Sequence, residues 1–149
     1  MLRDNAKEAS SASIKTFRKD GFLIYRDCVS AEECRNAKTF VLESLSPLIG
    51  PAELEVDVGY SGAPRAAADE GGETPRRLLH AYGRSPILRK FALDQKVKGM
   101  ICELMDESDV MLSQCHHNCV MTKYPRYSSS TGWHQDIRYW HYDLPELIT

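Results

Sequence analysis

Near its C-terminal end the chain carries Trp133-His134-Gln135-Asp136, an imidazole and a carboxylate two positions apart. In an extended strand the side chains at i and i+2 project from one face, so this spacing predicts that His134 and Asp136 converge while Gln135 points away. Such a pair supplies two of the three ligands of a facial triad, which holds non-haem Fe(II) and leaves positions open for oxygen chemistry. A histidine and an aspartate on a strand can also bond to each other or to neighbours. His141 is the histidine that follows, and its separation of seven from His134 puts it on the opposite face of a straight strand. The remaining residues to Thr149 offer no third ligand of the expected kind.

The elements that lead to this segment have their own signals. Ile14 to Lys19 predicts the end of an amphipathic helix that stops at Asp20-Gly21, with Gly21 suited to a left-handed cap, and Phe22-Leu23-Ile24-Tyr25 predicts a short strand. Ser30 with Glu33 three residues later is a capping box that opens a helix running to about Leu45, before Pro47. Residues 50–75 are rich in Gly, Ala, Pro and acids and predict a flexible loop. Ser85-Pro86 starts a further helical stretch, in which Val97, Met100, Ile101, Leu104 and Met105 recur at helical spacing and predict a core stripe. Val110 to Lys123 turns β-like, a second strand carries the His-Gln-Asp triplet, Pro145 interrupts, and Glu146-Leu147-Ile148-Thr149 predicts the start of another strand.

With 42% hydrophobic and 27% charged residues in 149, the chain suits a single domain, 1–149, with a real core. A net charge of -2 offers no basic footprint for nucleic acid. Neither a signal peptide nor an apolar run long enough to span a bilayer is present, so the sequence predicts a cytoplasmic protein without a membrane role. The five irregularly spaced cysteines suit reduced thiols better than a disulfide framework.

Two other clusters compete for a function. Cys115-His116-His117-Asn118-Cys119 suggests zinc, but on a strand Cys115, His117 and Cys119 lie about 6 to 7 Å apart in succession and cannot all reach one ion without a sharp bend. The plainer expectation is a barrel strand whose face through His117, Met121 and Lys123 lines a cavity, with Lys123 deepest. Arg76, Arg77, His80, Tyr82 and Arg84 form a basic-aromatic stretch that could meet an anionic substrate or open a solvated helix.

Taken in order, the first helix, Asp20-Gly21-Phe22-Leu23-Ile24, the capped helix, the helical pair, Lys123-Tyr124-Pro125, a polar loop and Trp133-His134-Gln135-Asp136 with Tyr139 beyond resemble the phytanoyl-CoA dioxygenase family from about Phe17 onward. The resemblance implies an α+β fold, N-terminal helices packed on a double-stranded β-helix of the jelly-roll, cupin-like kind. It implies an Fe(II)- and 2-oxoglutarate-dependent dioxygenase that hydroxylates a small-molecule substrate. Carried over, His134 and Asp136 match the first two iron ligands, Lys123 a lysine near the co-substrate, and Tyr139 and Trp133 aromatic positions beside the metal strand. The presence of Asp136 favours hydroxylation over halogenation, because halogenating relatives give up this carboxylate.

The family's distal histidine and its 2-oxoglutarate-anchoring arginine lie downstream of the motif and have no counterpart before Thr149. A jelly roll needs about eight strands, and the sequence offers only about half that number. The expectation is therefore a barrel incomplete at its C-terminus, the N-terminal part of a longer oxygenase. The alternative is a catalytically inert fragment that acts as a binding or dimerising module, forming a homo-oligomer through exposed strand edges.

Overall fold

The computed structural model describes residues 11–114, 118–144 and 146–149. The described chain is a mixture of helices and a small three-stranded antiparallel sheet, an α+β arrangement. It divides into two compact units. One comprises the chain up to Val29 with Phe91–Leu112 and Trp133–Thr149, and the other comprises Ser30–Lys90 with Ser113–Gly132.

In the first unit, helix α1 (Ser11–Asp20) ends where the Gly21 amide donates to the Phe17 carbonyl at 2.8 Å, with Gly21 at φ +77. That left-handed conformation is the one glycine adopts without a Cβ penalty, so the anticipated cap is present. Helix α5 (Gln95–Met105) is opened by Asp94, whose carboxylate accepts from the amides of Lys96 and Val97 at 2.9 and 3.1 Å. Its apolar stripe packs as anticipated, with Leu104 buried and Val97, Met100, Ile101 and Met105 half-buried, and α1 lies against it. Asp106 ends the helix in the left-handed region and pairs with Arg18 at 3.8 Å.

In the second unit, the capping box at Ser30 is complete: the Glu33 amide donates to the Ser30 hydroxyl at 3.2 Å, and the Ser30 amide returns a bond to Glu33 at 3.1 Å. Helix α2 (Ala31–Leu45) follows. The sheet has the order β1 (Ala52–Leu54), β2 (Pro75–Leu79), β3 (Cys119–Met121), and Leu78 at its centre is paired with Ala52 on one side and Val120 on the other. Leu78 is fully buried. Two short helices, α3 (Ala81–Arg84) and α4 (Pro86–Ala92), follow β2. Asn118 ties α3 to β3, its carbonyl accepting from the Ala81 amide and its side chain from the Tyr82 amide.

Several expected strands are not formed. Phe22 to Tyr25 and Glu146 to Thr149 are irregular, and among the described residues of Val110 to Lys123 only Cys119–Met121 is a strand. The 133–136 segment is not a strand either: it is irregular to Gln135 and then enters a 3-10 helix, Asp136–Tyr139. Strand propensity yields no strand without a ladder partner, and the described sheet pairs only β1, β2 and β3. Conversely, residues 50–75 are not loop throughout, since they contain β1 and a 3-10 turn, Glu55–Asp57. Pro145 and the Cys115-His116-His117 part of the zinc candidate lie outside the described residues.

Candidate metal centre

His134 and Asp136 meet although they share no strand. Gln135 between them is extended, at φ -114 and ψ 121, and one extended residue is enough to throw its two neighbours to the same side. The His134 Nε2 and Asp136 Oδ1 atoms lie 3.0 Å apart. The 3-10 turn holds Asp136 from below, with the Arg138 amide donating to Gln135 and the Trp140 amide to Ile137. It also brings Tyr139 edge-on to the imidazole, with ring centroids 5.9 Å apart and planes at 64°. The side chains of His134 and Asp136 retain 37% and 16% of their exposure, so neither is sealed in the core.

This spacing can be tested against a shared ion. Two ligand atoms, each about 2.1 Å from one metal and at a right angle, are about 3.0 Å apart, using ordinary metal bond lengths to imidazole and carboxylate. The observed separation matches. It also matches a hydrogen bond in which Nε2 donates to the carboxylate, so an incoming metal would displace that proton. Among the described residues no group of three or more His, Cys, Asp or Glu is gathered to hold an ion, and His141 joins neither atom. The pair therefore fits as two ligands of a set and not as a closed site.

Lys123 lies exposed just past β3 instead of deepest in a cavity. Its ammonium donates to the Ser129 carbonyl at 2.8 Å and to the Thr131 hydroxyl at 3.4 Å, bracing the polar loop. An ammonium has three N–H donors, which leaves capacity for an anionic ligand.

The basic stretch has a different fate from the one anticipated. Arg76 shares the buried face of β2 with Leu78. Its guanidinium lies 3.1 Å from Glu53 and 3.3 Å from the fully buried Glu55, and donates to the Ser129 hydroxyl at 3.0 Å. Arg77 also reaches Glu53, at 3.5 Å. Burial and the Glu55 carboxylate push the Tyr60 phenol up, while Arg76 lies over its ring. Arg84 donates to the carbonyls of Leu79, Ile49 and Pro51. Arg76 is committed to the protein interior, because a buried cation needs compensating charge more than a solvated one does, and the half-buried Arg77 and Arg84 are engaged by Glu53 and by backbone carbonyls. Sequence order gave no sign of it, since Glu53 and Glu55 lie across the strand pairing.

Among the described residues, Cys28, Cys34, Cys102 and Cys119 are free thiols, and burial pushes the Cys119 thiol up. A hollow of about 520 Å³ is lined by the 67–74 loop and by none of the candidate residues. No described helix is long and apolar enough to cross a membrane.

A family model described as phytanoyl-CoA dioxygenase (PhyH) matches residues 17–149. No curated protein matches the chain, and no solved structure does.

Proposed function

The chain belongs to the phytanoyl-CoA dioxygenase family, a family of iron- and 2-oxoglutarate-type oxygenases, and we propose that it is an Fe(II)- and 2-oxoglutarate-dependent hydroxylase of a small-molecule substrate. His134 and Asp136 are the proposed iron ligands, and the observation that carries this is their 3.0 Å convergence, the separation expected of neighbouring ligands on one ion. When bound, the iron and 2-oxoglutarate supply the oxidising power: dioxygen puts one oxygen atom into a substrate C–H bond and the other into succinate, with release of carbon dioxide.

The chain's own residues supply position and charge. His134 offers Nε2 only when that nitrogen is unprotonated, and Asp136 offers its oxygen as the carboxylate, so protons and metal compete for the pair. Lys123 is proposed to pair with a carboxylate of 2-oxoglutarate through the N–H not given to Ser129 and Thr131. Tyr139 stands edge-on to the imidazole and limits its rotation, and it is proposed to border the co-substrate. The further ligand and the arginine expected in this family are assigned to no residue of this chain.

An anaerobic Fe(II) titration with 2-oxoglutarate tests this reading. A metal-to-ligand charge-transfer band that needs both components and vanishes in Asp136→Ala is the expected result. Folded protein with no band overturns the reading of this chain as a working iron site and leaves the non-catalytic binding module.

A further inference from the structure

The Asp20-Gly21-Phe22 motif helped to carry the family resemblance, yet its expected strand is absent and the proposed chemistry gives it no part. We propose that Phe22 is a positioning residue for the metal pair, acting through Trp133; this rests on His134 and Asp136 being the iron ligands.

Helix α1 determines where Phe22 goes. The helix ends at Gly21, whose positive φ turns the chain, and Phe22 is the first side chain after the turn. Its ring lies 5.4 Å from that of Trp133, the planes tilted by 37°. That distance falls within the range of attractive aromatic pairs. Trp133 is bonded directly to His134, so a restraint on the indole is a restraint on the backbone from which the imidazole projects.

The restraint matters because of what the 133–135 segment lacks. It belongs to none of the described strands, so its conformation is set by local and side-chain contacts, of which the Phe22–Trp133 pair is one. A metal that must first order its ligands binds more weakly than one that finds them ordered. Tyr139 limits the imidazole from its edge, and Phe22 limits the chain that carries it. Groups that orient metal ligands change affinity by about tenfold or more when removed.

Phe22 is 45% exposed and Trp133 is 91% exposed, so this contact is not core packing, and substitution at Phe22 tests placement more than folding. The chain has two tryptophans, and Trp140→Phe leaves Trp133 as the sole indole reporter. In that background, fluorescence anisotropy reads the mobility of Trp133 without metal, and the anaerobic Fe(II) and 2-oxoglutarate titration reads affinity. Phe22→Ala is expected to lower the anisotropy and weaken iron binding about tenfold. Phe22→Tyr is expected to restore both, and Phe22→Leu, which keeps apolar bulk without a ring, to restore neither fully. Far-UV circular dichroism identifies a variant that has lost its fold, in which case Phe22→Leu carries the comparison. Unchanged affinity in Phe22→Ala, with or without a change in anisotropy, overturns the positioning role while leaving the iron ligands in place. Absence of iron binding in the unsubstituted chain overturns the ligand assignment and this inference together.

Discussion

The arginine–glutamate cluster on β2 and the His134–Asp136 pair are both constellations of charged or titratable side chains, but they are built in opposite ways. Arg76 and Glu55 lie 21 positions apart, are buried, and meet only because β1 pairs with β2. His134 and Asp136 are two positions apart, keep contact with solvent, and meet through one extended residue and a 3-10 turn. In the first, the charges compensate one another inside the protein, although Glu53 Oε1, Glu55 Oε1, Arg76 Nε and Arg77 Nε are buried there without a well-formed hydrogen bond among the described residues. In the second, both side chains keep part of their surface in solvent. Charge and residue type alone do not mark a ligand site; the decisive property is whether the fold has already supplied the partners.

The difference can be broken at its buried end first. Arg76→Ala removes the partner of a Glu55 carboxylate that is 1% exposed. It should destabilise the protein by about 3 to 5 kcal/mol, the usual result of leaving a buried charge uncompensated. Chemical denaturation measures it, and a loss of under about 1 kcal/mol would mean that the cluster is far more hydrated than its burial indicates.

At the accessible end the expectation reverses. Asp136→Ala should weaken iron binding at least about 100-fold, about 2.7 kcal/mol, while changing folding stability by no more than about 0.5 kcal/mol. Parallel titration and thermal unfolding separate the two quantities. A large stability loss with intact binding would place Asp136 among the structural residues alongside Glu55.

Smaller effects sharpen the distinction between local and long-range contacts. Gly21→Ala places a Cβ at φ +77, where nothing lies within 4 Å, so backbone strain alone should cost about 1 kcal/mol. Thermal unfolding reads that loss. The smallest effect is expected at Glu33, where the Lys90 ammonium and the Ser30 cap hold the carboxyl at about 2, against an ordinary 4.5. A lowered folded-state value means that the contribution is fully present above 4.5 and is lost as pH falls toward about 2. The Tm difference between the natural chain and Glu33→Gln should therefore be constant at neutral pH and close on acidification. Because the Glu33 side chain keeps 40% of its exposure and its partner Lys90 still more, the difference should be small and should shrink with added salt.

Much of the helical part of the fold was legible without coordinates. The Ser30–Glu33 box, the Gly21 cap and the α5 stripe are read correctly because each depends on partners three or four residues away, a distance that the covalent chain itself enforces. The convergence of His134 and Asp136 was legible for the same reason, although the expected strand was not formed: the extended residue between them sufficed. Strand content was overestimated because a strand exists only with a partner, and partner choice is not written in any short window.

The helix boundaries at Gly21 and Ser30, the two candidate ligands and, through the motifs, the family could be read from short stretches of sequence, whereas the break at Asp94 between α4 and α5 was not anticipated. Tertiary contacts were needed to bury Arg76 against Glu55, to engage Arg77 with Glu53 and Arg84 with backbone carbonyls, to set Lys123 against the Ser129–Thr131 loop and to bring Phe22 to Trp133. The physical reason is distance along the chain. Contacts within one helical turn are fixed by local geometry, whereas those between remote segments are selected by burial, charge compensation and strand pairing acting together.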